Sequence, residues 1–205
     1  MFMQDDKQGE KKPSIRFVHL IRHAESTANI DLPTEDHFSI PLTEKGKRQS
    51  EALSQDLPGK PDLILLSSFL RAKQTAEPTI RRYPDVPVEI WPELGEFTYL
   101  SPASCKGTTR SQRIPYVKKY WDRMDPDYLD GEGAESFRQF VERTEKAYSK
   151  ILQCQGENIF LFSHGQFLNC LLDIARHPDL TVKDRMVNFR SLPVLENCDL
   201  ITLII

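Results

Sequence analysis

Ile15-Arg16-Phe17-Val18-His19-Leu20-Ile21, followed at once by Arg22-His23-Ala24-Glu25-Ser26-Thr27-Ala28-Asn29, is the stretch on which the fold turns. Its first half is a short, mostly apolar run with several β-branched residues, and its second half is abruptly polar. A buried strand that stops at a functional loop produces this change. The same change recurs at Leu63 to Leu66, which runs into Ser67-Ser68, and at Asn158 to Phe162, which runs into Ser163-His164-Gly165. After each polar junction the apolar residues shift to helical spacing.

The helices between these runs carry their own punctuation. Thr43 is placed to cap a helix with apolar positions Ala52, Leu53 and Leu57, closed by Pro58-Gly59. Ser67 and Ser68 offer caps for a helix carrying Arg71, Ala72, Thr75 and Ala76, with Arg71 in its first turn. Ser136 and Gln139 form a capping box ahead of an apolar face through Phe137, Phe140, Val141, Thr144, Ala147, Tyr148, Ile151 and Leu152. Phe167, Leu168, Leu171, Leu172 and Ala175 mark another helix. Val86 to Ile90 and Leu200 to Ile205 read as further strands. Strands alternating with amphipathic helices predict an α/β fold, a three-layer α/β/α sandwich around a mainly parallel sheet.

From Glu93 to Gly133 prolines, aromatics and basic residues break the alternation, and residues at about 97–133 read as a cap segment inserted over the sheet. Within it Ile114, Val117, Trp121 and Met124 fall at helical spacing, with Pro115 suited to a first turn. Lys106, Arg110, Arg113, Lys118, Lys119 and Arg123 are interleaved with Tyr99, Tyr116, Tyr120 and Trp121. A solvated basic helix face and a lid over a phosphorylated substrate are both open readings of that pattern.

The 205 residues, 39% hydrophobic and 28% charged, suit one domain over 15–205 behind a flexible N-terminal tail, 1–14. Lys plus Arg number 27 against 30 Asp plus Glu, a net charge of -3, so no general basic field exists to hold nucleic acid or an anionic membrane. Any phosphate binding must be local. No stretch of the N-terminus is apolar enough for a signal peptide or membrane span, which predicts a cytoplasmic protein. Cys105, Cys154, Cys170 and Cys198 are far apart and lack zinc-site spacing, so buried, reduced thiols are expected and neither metal nor other cofactor is called for. His19 and His23 are four apart, but along a strand that spacing does not bring them together as metal ligands.

In parallel α/β sheets ligands gather beyond the carboxyl ends of the strands. Arg22-His23, Arg71 and His164 all fall just past predicted strand ends. Arg22-His23-Ala24-Glu25-Ser26-Thr27-Ala28-Asn29 resembles the signature of the histidine phosphatase superfamily, which also contains the cofactor-dependent phosphoglycerate mutases. Pro41-Leu42-Thr43-Glu44-Lys45-Gly46, Ser67-Ser68-Phe69-Leu70-Arg71-Ala72 with Thr75-Ala76, Gly133-Ala134-Glu135-Ser136 and Ser163-His164-Gly165 are similar to further motifs of that group, in its order.

The resemblance implies that His23 is a nucleophile forming a transient phosphohistidine, in a phosphate pocket lined by Arg22, Arg71 and His164. Asn29 and Ser26 match positions that contact phosphate. A neutral imidazole can attack phosphorus and divide one difficult transfer into two easier ones. Two guanidiniums and a second imidazole supply the donors that a loose transition state requires, without a metal. Leu94-Gly95-Glu96 resembles the family's Leu-x-Glu element, so Glu96 is the expected proton donor, joining His23 and His164 as catalytic residues. Phe97-Thr98-Tyr99-Leu100 departs from what commonly follows that element, which leaves Glu93 as a substitute. His37 and His177 carry no assignment.

The expected activity is hydrolysis of a small phosphorylated metabolite. The alternatives are a phosphoglycerate mutase and a catalytically silent binding protein on the same fold. Against the mutase stand the missing Arg and Tyr-Gly residues after Leu-x-Glu and a sequence that stops at its last strand.

Overall fold

The computed structural model describes residues 15–205, so the expected tail at 1–14 lies outside the described residues. Five strands form one sheet: β1 (Phe17–Arg22), β2 (Leu63–Ser67), β3 (Val88–Trp91), β4 (Asn158–Ser163) and β5 (Leu200–Ile204), in the order β3-β2-β4-β1-β5. The first four run parallel, while β5 lies antiparallel along β1. Side-chain alternation divides the core between the two faces. Val18, Leu20, Leu65, Ile159 and Leu161 pack on one side; Ile21, Ile64, Leu66, Phe160 and Phe162 pack on the other.

The second face is covered by α1 (Glu44–Asp56) and α2 (Leu70–Arg82). On the first face lie α5 (Phe137–Gln153), α6 (Gly165–Arg176) and α7 (Val182–Phe189). Between β3 and α5 run the short α3 (Pro102–Cys105) and α4 (Arg110–Arg123). The expected three-layer α/β/α arrangement is present.

Two caps behave as their sequence predicts. Thr43 Oγ1 accepts from the Gly46 amide at 2.9 Å. Ser136 accepts from the Gln139 amide at 3.2 Å, and Gln139 Oε1 accepts from the Ser136 amide at 2.9 Å. Ser67 and Ser68 do not cap α2: Phe69 holds that position without a side-chain bond, and Ser67 ends β2 with its hydroxyl turned toward His164.

Tertiary packing overrides the periodicity elsewhere. Helix α1 packs against α2, and its buried residues are Gly46, Ser50 and Ser54, while Ala52 is exposed. The two serines satisfy their hydroxyls on the Lys47 and Glu51 carbonyls of their own helix. At the end of α5, Leu152 is 41% exposed. Helix α4 begins five residues before Pro115, at a Thr109–Gln112 capping box, so the proline lies inside the helix. Ile114 is 60% exposed; Tyr120 is the buried anchor, with Val117, Trp121 and Met124 partly buried beside it.

Helix α7 has no counterpart in the sequence reading, because Arg185 stands where an apolar residue would complete the pattern. That arginine is fully buried, paired with Asp173 and donating to the His177 carbonyl at 2.9 Å. All four cysteines are free thiols, but only Cys170 is buried; Cys105, Cys154 and Cys198 are partly exposed, so burial explains one of the four. Among the described residues no helix is long and apolar enough to cross a membrane.

Candidate active site

Register assembles the centre. Arg22 of β1 lies opposite Ser163 of β4, so the next residue on each parallel strand, His23 and His164, emerge side by side. Their ring centroids are 5.3 Å apart with planes at 61°. His23 Nδ1 lies 2.7 Å from the carbonyl oxygen of Ala24. A carbonyl only accepts, so Nδ1 carries the proton and Nε2 presents its lone pair. The Nε–H of Arg71 donates to that lone pair at 3.2 Å. Burial, then the charge of Arg71, holds the His23 pKa well below the ordinary imidazole range, with a smaller contribution from Arg22. The ring therefore stays neutral at physiological pH.

The loop holding His23 is itself anchored. The Ala24 amide donates to Thr75 Oγ1 at 2.9 Å, the Glu25 amide to Gln49 Oε1 at 2.9 Å, and the Thr43 amide to the Glu25 carbonyl at 3.0 Å. Gly46 is required here: a Cβ on it would sit 2.0 Å from the Glu25 carbonyl oxygen. Asn197 Nδ2 donates to the His23 carbonyl at 2.9 Å.

Arg71 occupies the first turn of α2, over the Phe69 ring at 4.9 Å, and donates from Nη1 to the His37 carbonyl at 2.8 Å. Burial lowers its pKa to about 10, which leaves it charged. Arg22 ends β1, donates to the Leu195 carbonyl and leaves its buried Nε without a partner. His164 is fully buried at the N-cap of α6. Its Nε2 lies 2.8 Å from Ser67 Oγ, and its Nδ1 has no partner. Ser67 Oγ also accepts from the Phe69 amide at 3.3 Å and keeps a proton that it can donate to His164 Nε2. With Ser67 as donor, the imidazole proton sits on Nδ1. Burial first, and Arg71 and His23 next, hold the His164 pKa well below the usual range.

Glu96 faces the same cleft. Its Oε1 accepts from the amides of Phe97 (2.9 Å) and Phe167 (3.2 Å), and its Oε2 from Gln166 (3.3 Å) at the start of α6. Burial outweighs those bonds and raises its pKa above the ordinary carboxylate value. Glu93 does not line the cleft. Asn29 and Ser26 do, joined to each other: Asn29 Oδ1 accepts from the Ser26 amide and hydroxyl, both at 2.9 Å. The cleft holds about 970 Å³, and Arg110 and Arg113 of α4 also border it. Among the described residues no three His, Cys, Asp or Glu side chains are grouped to hold a metal ion. His19 instead bonds Thr202 Oγ1 at 2.9 Å.

Residues 18–200 match the histidine phosphatase superfamily (branch 1). The chain belongs to that superfamily. It is 31% identical over 156 residues to the adenosylcobalamin/alpha-ribazole phosphatase of Salmonella typhimurium, covering 75% of this chain and 76% of that protein. The Escherichia coli protein of the same name is 33% identical over 75% of each. Among solved structures, a putative alpha-ribazole-5'-P phosphatase from E. coli superposes with a TM-score of 0.67 at 28% identity, covering 84% of both chains. A mycobacterial glucosyl-3-phosphoglycerate phosphatase, at 21% identity, shares the fold with a TM-score of 0.72 over 93% of this chain and 90% of that one.

In this histidine phosphatase the Gly133–Ser136 motif has a visible purpose. Glu135 holds Arg143 through two bonds of 2.7 and 2.8 Å, and Arg143 Nη1 donates to the carbonyls of Glu93 (2.6 Å) and Gly95 (3.0 Å). Ser163 Oγ donates to the Leu94 carbonyl at 2.7 Å. The backbone leading to Glu96 is thereby fastened from two sides. Nothing local in the sequence marks Ser67, Arg143 and Asn197 for these contacts, since His164, the Glu93 and Gly95 carbonyls and the His23 carbonyl are each far from them along the chain.

Proposed function

We propose that this protein is a phosphomonoester hydrolase working through a phosphohistidine at His23, with Glu96 as proton donor and then base. The observation that carries the reading is the buried, neutral His23, whose Nδ1–H is fixed by the Ala24 carbonyl and whose Nε2 lone pair faces the guanidinium of Arg71. A phosphoryl group approaching Nε2 meets Arg71 and Arg22. It also meets the Nδ1–H of His164, whose other nitrogen Ser67 occupies.

In the first step Nε2 forms a bond to phosphorus as the phosphorus–oxygen bond to the alcohol breaks, and the Glu96 carboxyl protonates the departing oxygen. In the second, the Glu96 carboxylate takes a proton from water while its oxygen attacks phosphorus, the N–P bond breaks and inorganic phosphate leaves. The raised pKa of Glu96 suits the first step, and the low pKa of His23 keeps the nucleophile free. Asn29 Nδ2 and Ser26 belong to the phosphate lining in this reading, and residues 97–133 to a cap over it. The substrate is a small phosphorylated compound, in keeping with the phosphatase names of the relatives. The four unpaired cysteines support a reducing, cytoplasmic setting.

An aryl phosphate assay with chelator present, run beside His23→Ala, tests this. Activity in the native protein, an acid-labile phosphoenzyme and their loss in the variant are expected. Activity that survives His23→Ala sinks the mechanism.

A further inference from the structure

Beside the main cleft lies a second cavity of about 390 Å³, within the range of small-molecule sites. The two share Arg71, Glu96, Tyr99, Arg110 and Arg113 as a common wall. Beyond that wall the lining is mainly apolar: Phe69, Leu100, Cys105, Ile114 and Val117. Ile114 is otherwise hard to explain, because it is 60% exposed on α4 while the helix packs inward through Tyr120.

We propose that this side cavity receives the alcohol portion of the substrate and that this portion is an aromatic or similarly flat apolar body. The inference rests on the phosphohistidine reading above. Displacement at phosphorus places the leaving oxygen opposite His23, and the acid that protonates it must lie next to that oxygen. Glu96 is that acid, and the side cavity opens from Glu96. Glu96 borders both spaces, and on its side-cavity face an apolar group attached to the leaving oxygen meets Phe69, Tyr99, Ile114 and Val117. Arg110 and Arg113, which form no ion pair among the described residues, stand in the wall that the side cavity shares with the main cleft, where a guanidinium can stack on a ring. A short polar alcohol would leave this apolar surface uncovered.

Phosphonates test the cavity without turnover, since they have no ester to cleave. Calorimetric titration with benzylphosphonate and methylphosphonate should show the aromatic ligand binding at least about tenfold more tightly, equivalent to about 1.4 kcal/mol. Ile114→Asn should reduce that preference to about twofold or less. Tyr116→Asn should keep it, because Tyr116 is 58% exposed on the same helix and lies outside the cavity. Equal affinities for the two phosphonates, or a preference indifferent to Ile114→Asn, overturn the proposal. A protein that shows the preference but hydrolyses no aryl phosphate would overturn the reaction instead, so the two failures are distinguishable.

Discussion

Ser67→Ala probes the least obvious part of the site. Ser67 is fully buried, and its hydroxyl serves two groups, His164 Nε2 at 2.8 Å and the Phe69 amide at 3.3 Å. Alanine leaves both without a partner. A buried polar group so stranded costs roughly 1–3 kcal/mol; with the longer bond at the low end, unfolding stability should fall by about 2–4 kcal/mol in a urea titration. The catalytic effect is separate. Without the Ser67 proton at Nε2, nothing holds the His164 proton on Nδ1, and the donor aimed at the phosphoryl group loses both its tautomer and its orientation. Loss of such an outer partner costs about tenfold to a hundredfold, so kcat should drop by that factor. His164→Ala, which removes the donor itself, should cost about 10² to 10³. The decisive measurement is the double variant: with His164 already replaced, Ser67→Ala should lower kcat less than about threefold. An equal loss in both backgrounds, or full kcat in folded Ser67→Ala, refutes the argument.

Three further outcomes are expected. Glu96→Gln should lower kcat/KM by about 10² to 10⁴ for alkyl phosphates but far less for esters of acidic phenols, whose oxygens leave without a proton; a series of leaving groups measures this, and a uniform loss would contradict the proton-donor role. In the unfolded chain His23 and His164 take up protons near pH 6.5, whereas in the folded protein they resist until much lower pH, so their contribution to stability is full above 6.5 and is lost as the pH falls below it. Each adds up to about 1.4 kcal/mol per pH unit to the slope. Glu96, with its raised folded pKa, acts in the opposite direction as the pH rises past 4.5. Urea unfolding between pH 5 and 7.5 should show a flatter slope in His164→Ala, and an unchanged slope would contradict the assignment. Gly46→Ala should destabilise by about 1–3 kcal/mol and impair activity, because its Cβ would collide with the Glu25 carbonyl beside the Ala24 peptide that holds His23; a thermal melt indistinguishable from that of the native protein would count against it.

What the sequence by itself determined is what depends on near neighbours along the chain. Apolar runs that stop at Arg22-His23 and Ser163-His164 revealed two strands and where their functional ends lie, because strand burial and its sudden loss are local signals. The Thr43 and Ser136 caps were legible for the same reason: each is satisfied within one helical turn. Family motifs then supplied the candidate pocket residues. Tertiary structure decided everything that depends on a partner distant in sequence. The β1–β4 register is what brings His23 against His164, and burial at that junction, with the charge of Arg71 next, depresses both imidazoles. Ser67 looked like a helix cap and is instead the partner of His164, because β2 ends beside β4. Ile114 fell at the helical spacing of Val117, Trp121 and Met124, yet it borders a cavity while Tyr120 is the residue of α4 that is buried. Helix α7 was hidden by Arg185, whose charge is tolerable in the interior only because Asp173, twelve residues earlier, is folded against it. Periodicity records which face of an element is apolar; which neighbour that face meets, and which buried polar groups find partners there, is decided only when the chain closes on itself.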